Sequence, residues 1–211
     1  MNNYVNWAKE FLDCDCGVEK ETYGDQSDVY KLITPSQNYF LKVASALEKE
    51  RVRLEWLASK LPVPRVIALT KIEDKDALLM TEVEGENLAR LCQKISPEDT
   101  VSKLALAIRD VHSIDISACP FGKKGDGKVL VHGDACLPNF IYKDGELSGY
   151  IDLGDMEVAD KNVDLAAVVW SLQYNLGKGY GLAFLKEYGV KNATENLVKK
   201  LYDLYGDLTT V

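Results

Sequence analysis

Between Val129 and Asp155 the chain places two short apolar runs, a polar loop and a hairpin turn in an order that few folds accommodate. Val129-Leu130-Val131 and Phe140-Ile141-Tyr142 read as strands flanking the loop from His132 to Asn139. Lys143-Asp144-Gly145-Glu146 reads as the turn of a hairpin that returns through Leu147 to Ile151 and delivers Asp152 at the strand end. The loop spaces its polar groups as H-x-D-x-x-x-x-N, and Ile151-Asp152-Leu153-Gly154 follows at once. That set matches the needs of kinase-type phosphoryl transfer: one Asp accepts the proton of the acceptor hydroxyl, an Asn holds one Mg²⁺, and a second Asp holds the metals against the nucleotide phosphates. Asp134, Asn139 and Asp152 are the candidates for those roles, in that order. Either tripeptide alone reads as an ordinary turn or strand end; their order, with the hairpin between them, makes the reading specific.

Upstream, the chain supplies parts that such a site needs. Gly24-Asp25-Gln26-Ser27-Asp28 is a small polar turn before the strand Val29–Ile33, where backbone N–H groups, including that of Ser27, would meet phosphate oxygens. Taken alone, the turn reads better as a plain hairpin. Tyr39-Phe40-Leu41-Lys42-Val43 alternates as a strand after Thr34-Pro35-Ser36-Gln37-Asn38. Leu47, Leu54, Leu57 and Leu61 recur at helical spacing, ended by Pro62 and Pro64, with Glu50 in the first turns. Lys42 and Glu50 would form the ion pair that positions a lysine on the α- and β-phosphates. Without the downstream loop both would be read as solvated charges. Ala77–Glu82 is a buried-looking strand that breaks at Val83-Glu84-Gly85-Glu86, a natural hinge whose backbone would pair with an adenine edge. Phe40, Met80 and Val83 are candidates to enclose the base, and core packing explains the same residues equally well.

The remainder reads as helical. Ser96-Pro97 is an N-cap with proline at the first helical position, opening a helix whose Val101, Leu104, Ile108 and Val111 form one apolar face. Segments 164–174, 182–188 and 194–205 read as further helices, broken at Gly177, Gly179 and Gly189. Gly122 to Gly127 reads as a mobile loop tip, and His112 as packed rather than catalytic. The expectation is an α+β chain with a β-rich N-lobe over 1–83 and a helical C-lobe over 84–211.

The chain resembles the aminoglycoside phosphotransferase family, particularly its 3′-phosphotransferase branch. The likeness rests on Tyr39-Phe40-Leu41-Lys42, Lys60-Leu61-Pro62-Val63-Pro64, Leu78-Leu79-Met80, Val111-His112-Ser113-Ile114-Asp115-Ile116, Val131-His132-Gly133-Asp134, Gly149–Gly154, Ala159-Asp160-Lys161 and Asp164-Leu165-Ala166, in family order. It implies a two-lobed, protein-kinase-like fold that uses ATP, or GTP, and Mg²⁺ to phosphorylate a hydroxyl of an aminoglycoside antibiotic. It implies Asp134 as catalytic base, Asn139 and Asp152 as metal ligands, Lys42 with Glu50 as the phosphate-positioning pair, and Phe40 stacked on adenine. The backbone from Thr81 to Val83 would be the hinge, and Asp164 would tie the catalytic loop down. Three departures bear on the acceptor. Only Phe121 to Lys128 joins Pro120 to Val129, where family members carry a helical segment that walls the acceptor pocket. Tyr174-Asn175 falls where relatives place acidic residues toward the drug, and Asp155 replaces the Arg of some members.

Composition narrows the rest. Lys and Arg total 25 against 33 Asp and Glu, a formal net charge of −8, which disfavours nucleic acid and anionic membranes and suits a small cationic aminosugar as partner. No basic start followed by an apolar run opens the chain, and five cysteines without metal spacing fit a reducing compartment, so a cytoplasmic protein, a monomer or weak dimer, is expected. Two alternatives stay open: a kinase of another small hydroxylated metabolite, and a nucleotide-binding pseudoenzyme without an acceptor pocket. A protein kinase fits less well, because 155–164 leaves little room for an activation segment.

Overall fold

The computed structural model describes residues 3–12, 15–21 and 27–208, and the chain divides into two compact units, 1–83 and 84–211. The turn residues Gly24, Asp25 and Gln26 lie outside the described residues; Ser27 is half-buried just before a strand.

The first unit is one antiparallel sheet with two helices. Helix α1 (Asn3–Lys9) precedes strands β1 (Gly17–Glu21), β2 (Asp28–Ile33) and β3 (Asn38–Ala44); helix α2 (Glu48–Leu57) precedes β4 (Val66–Ile72) and β5 (Lys75–Thr81). The sheet order is β1-β2-β3-β5-β4. Side chains alternate across a strand, and Leu41 and Val43 point to the face where Val5, Ala8 and Leu12 of the α1 segment cover Leu32, Ala77 and Leu79. The alternate residues Phe40 and Lys42 therefore take the opposite face, directly across from Met80 and Leu78 of β5. The helix anticipated from Leu47 to Leu61 ends at Leu57 and continues only as turn. The Asp76 carboxylate accepts the Leu47 N–H at 2.8 Å, supplying the cap that Leu47 itself lacks.

The second unit begins with β6 (Glu86–Asn87), a one-turn helix α3 (Leu88–Leu91) and the long α4 (Pro97–His112). Ser96 caps α4 as its side chain accepts the Asp99 N–H at 3.0 Å, and Val101, Leu104, Ile108 and Val111 are among its buried residues. Strand β7 (Val129–Val131) leads to a 3-10 turn (Leu137–Asn139), then to the hairpin of β8 (Phe140–Lys143) and β9 (Glu146–Tyr150). Asp144 and Gly145 at its tip have φ of 52° and 86°, the paired positive values of a type I′ turn. Strand β10 (Glu157–Ala159) pairs with β7, and α5 (Asn162–Leu176), α6 (Tyr180–Tyr188) and α7 (Glu195–Leu208) complete the unit. Buried Tyr150 fastens the hairpin to α4 by donating to the Ala107 carbonyl at 3.1 Å.

The connection from Pro120 to Val129 is more ordered than a free loop tip. Lys124 N donates to Val158 O at 2.8 Å, Val158 N to Gly122 O at 3.0 Å, and Lys128 N to Ala159 O at 3.1 Å. The segment lies along β10, its backbone groups satisfied by a strand that the sequence patterning does not announce.

Candidate active site

The loop between β7 and β8 is anchored at several points along its length. Asp164, in the first turn of α5 and fully buried, accepts the His132 N–H at 2.7 Å and the Gly133 N–H at 3.0 Å, and its Oδ2 also contacts His112 Nε2 at 3.0 Å. His112 is held on its other side by the Tyr188 hydroxyl, 2.8 Å from Nδ1. One carboxylate thus joins α4, α5, α6 and the loop. The first turn of a helix suits a negative charge, and each N–H here would otherwise be buried without an acceptor.

Gly133 is required by contact as well as conformation. Its φ is 88°, and a Cβ added there would meet the Asp155 carbonyl oxygen at 2.5 Å. The loop backbone therefore lies directly against the turn that follows Asp152. Further along, Ser171 of α5 accepts the Leu137 N–H at 3.0 Å. The His132 ring is fully buried, packs against Phe140 with centroids 5.6 Å apart, and has no hydrogen-bond partner at either nitrogen. It acts as a spacer beneath the loop.

Asp134 is half-buried at the loop crest, oriented by Asn139, whose Nδ2 donates to the Asp134 carbonyl at 2.9 Å and to its Oδ2 at 3.0 Å. That commitment of the amide nitrogen leaves the oxygen as the end of Asn139 able to meet a cation. The Asn139 carbonyl accepts the Ile151 N–H at 3.0 Å, which brings the next residue, Asp152, beside the same pair. Asp152 is exposed and takes a left-handed backbone, with φ of 57°. Non-glycine residues there cost on the order of 1–3 kcal/mol and concentrate at functional turns, with Asp among the more tolerant. Hard oxygen donors in this number suit Mg²⁺, which takes one or two protein oxygens and completes its shell with phosphate and water. Among the described residues, no group of three or more His, Cys, Asp or Glu side chains gathers to form a closed metal cage.

In the first unit, Lys42 Nζ lies 2.8 Å from Glu50 Oε2, with side-chain exposures of 16% and 6%. A buried carboxylate on α2 thereby fixes the lysine of β3 with little freedom to wander. Phe40 and Met80 are cross-strand neighbours on the same face, and Lys31 Nζ lies 5.8 Å from the Phe40 ring centroid. At the end of β5, Thr81 N donates to Arg65 O and Glu82 N to Asn38 O, both at 3.0 Å. Of the three residues from Thr81 to Val83, Val83 is the one whose N–H has no backbone acceptor among the described residues. Glu82 was not singled out by sequence, yet its carboxylate accepts from Lys31 and Asn38, each at 2.7 Å, and braces this strand end. Ser171 was missed for a similar reason: a lone serine in an apolar helix carries no signal that it caps a loop far back in the chain.

The fold and the loop together define a kinase-like phosphotransferase. Residues 22–127 and 124–199 match the phosphotransferase enzyme family, and the chain belongs to it. The match falls in two pieces that meet within the short connection before β7. An aminoglycoside 3′-phosphotransferase of Enterococcus faecalis is 29% identical, covering 90% of this chain and 92% of that protein. The alignment runs over 249 positions, more than the 211 residues here, so the relative carries segments that this chain lacks. The streptomycin 3″-kinase of Streptomyces griseus is 24% identical over 73% of this chain and 77% of its own. Among solved structures, an aminoglycoside-3′-phosphotransferase of type VIII superposes with a TM-score of 0.74 at 24% identity, covering 98% of this chain and 99% of that one. Aminoglycoside phosphotransferase APH(3″)-Id of Streptomyces rimosus, in complex with ADP and streptomycin, gives 0.76 at 22% identity with full coverage of both chains. The fold is therefore that of the kinase-like aminoglycoside phosphotransferases.

Proposed function

We propose that this protein transfers the γ-phosphoryl group of ATP or GTP to a hydroxyl of an aminoglycoside, of the 3′ type, and so confers resistance to it. The observation that carries the reading is the hydrogen-bonded set of Asp134, Asn139 and Ile151-Asp152, held by Asp164 beneath the loop. The named relatives act on aminoglycosides, and the net charge of −8 favours approach of a polycation.

Asp134 orients the acceptor hydroxyl and takes its proton as the phosphoryl group arrives; Asn139 fixes the carboxylate that does so. Asn139 and Asp152 would hold Mg²⁺, which when bound neutralises charge on the transferring phosphates. Lys42, positioned by Glu50, would bind nucleotide phosphates, with Ser27 contributing a backbone N–H from the preceding turn. Phe40, Met80, Thr81 and Val83 would receive the base, with the Val83 N–H as donor. Phosphoryl transfer depends mostly on positioning and charge stabilisation, and both are supplied by groups that are pinned before substrate arrives. No helix among the described residues is long and apolar enough to cross a membrane, and we place the enzyme in the cytoplasm, as a monomer or weak dimer that binds no nucleic acid.

The test is mass spectrometry of kanamycin- and neomycin-type aminoglycosides incubated with the protein, Mg²⁺ and ATP or GTP. One added phosphate on 3′-hydroxyl drugs, and none on their 3′-deoxy analogues, is the expected result. Absence of product across the panel, with nucleotide still bound, overturns the acceptor assignment. It would favour a second reading, a kinase of another small hydroxylated molecule, to which the short Pro120–Val129 connection also points.

A further inference from the structure

Helix α2 carries the carboxylate that holds Lys42, and the sheet grips that helix at a second point. The Asp76 carboxylate of β5 accepts the Leu47 N–H at 2.8 Å, at the residue just before α2 begins with Glu48. Leu47 supplies no side-chain cap of its own, and the first N–H groups of a helix have no partner within it. A carboxylate at this end also meets the positive pole of the helix. Asp76 therefore serves as an N-cap from a strand 29 residues further along the chain.

The two grips fall on one face of the sheet. Asp76 lies opposite Ala44 of β3 and Leu78 opposite Lys42, so the pleat directs Asp76 and Lys42 to the same side. Residues 45–47 alone join β3 to α2, and Glu50 is the third residue of the helix, about 4.5 Å along its axis from Leu47. Leu47, Leu54 and Leu57 are buried, but apolar burial is non-directional: it opposes lifting the helix off more than sliding it along. Two directional contacts resist such a slide, Leu47 N–H on Asp76 and the Glu50 carboxylate on Lys42. They are unequal. Lys42 and Glu50 meet through long side chains that could follow a displaced helix, whereas the short Asp76 side chain ends on the backbone itself.

We propose that Asp76 is a positioning residue for nucleotide phosphate binding: by fixing the first turn of α2 to β5 it sets where Glu50 stands, and through Glu50 where the Lys42 ammonium is held. The inference rests on the reading above that Lys42 binds nucleotide phosphates, and adds the residue that places the lysine. Asp76 itself touches no nucleotide. Its removal leaves the base-receiving residues Phe40, Met80, Thr81 and Val83 in place, so the loss falls on phosphate recognition alone.

The experiment measures ADP and adenosine affinity by isothermal titration calorimetry, with Mg²⁺ present, in wild type, Asp76→Ala, Asp76→Asn, Lys42→Ala and the double variant Asp76→Ala with Lys42→Ala. Loss of the cap is expected to weaken ADP binding about fivefold in Asp76→Ala and to leave adenosine binding unchanged. Asp76→Asn, whose amide oxygen still accepts the Leu47 N–H, restores ADP binding. On the Lys42→Ala background the Asp76 substitution removes no further ADP affinity, because two changes that act through one group are not additive. Unchanged ADP affinity in Asp76→Ala, an equal fall for ADP and adenosine, or a full additional loss in the double variant overturns the proposal while leaving Lys42 as the phosphate-binding lysine. ADP binding that Lys42→Ala leaves intact overturns the reading of Lys42 and this inference with it.

Discussion

The catalytic loop and the outer face of α5 are adjoining regions built in opposite ways. In the loop, backbone groups at His132, Gly133, Leu137 and Asn139 are each committed to a fixed partner, and the anchoring carboxylate is fully buried. On α5, Trp170 is half-buried against Tyr205 of α7, and the Tyr174 ring stacked on it stands open to solvent. The difference teaches where each property of such a protein resides. Groups that are over-determined from several directions keep their geometry before any ligand arrives, while exposed side chains can change at small cost in stability.

This contrast is broken if loop substitutions prove mild. Asp152→Ala should reduce turnover below detection, and Asp134→Ala should cost roughly 10²–10⁴-fold in kcat with nucleotide affinity retained; steady-state assays and a nucleotide titration check both. Near-native rates in the two variants would remove the basis of the site. Lys42→Ala should weaken nucleotide binding and lower stability by about 3 kcal/mol, because it leaves Glu50 buried without its partner; Glu50→Gln should cost less. Denaturant unfolding with and without nucleotide separates the two effects.

Asp164→Ala sharpens the comparison from the structural side. It strands the N–H groups of His132 and Gly133, for an expected loss of about 2–5 kcal/mol, read as a fall in Tm and a slower kcat in the same variant. Ser171→Ala, which removes the single acceptor of Leu137 N–H, should cost about 1 kcal/mol. The smallest effect concerns reactivity. Burial, with Asp134 nearby, pushes the Cys136 thiol up to about 12. The thiolate is the reactive form, so iodoacetamide at pH 8 should spare Cys136 in the native protein and modify it in urea, while half-exposed Cys16 and Cys119 react in both. Peptide mass mapping gives the answer.

Much of the loop was legible because its elements are local. The Asp144-Gly145 turn, the flanking apolar triplets and the Ser96 cap each announce themselves within a few residues, and the structure contains all three. Helix α1 was not legible. At seven residues it is too short to be stable alone, and it forms because Val5 and Ala8 cover a sheet that is assembled from later sequence. Strand β10 spans three residues and exists through pairing with β7, and β1 is exposed along most of its length, so neither shows a period to read. Among the candidate site residues, the Lys42–Glu50 pairing was legible only through the downstream loop, since each alone reads as a solvated charge, whereas the bracing by Glu82 and the capping by Ser171 join distant positions. Neither carries a local pattern.

The short connection stitched to β10 marks where this chain can change length. Its hydrogen bonds lie on either side of Gly125, and a Cβ placed at Gly125 itself would meet nothing within 4 Å. A segment grafted at that position would break the turn bond from Gly127 N–H to the Lys124 carbonyl but leave the bonds to β10 intact, and each doubling of loop length adds only about 0.6 kcal/mol of closure entropy. Gain or loss of a segment there is thus a single, inexpensive event that leaves the bonds holding the Asp134 loop untouched.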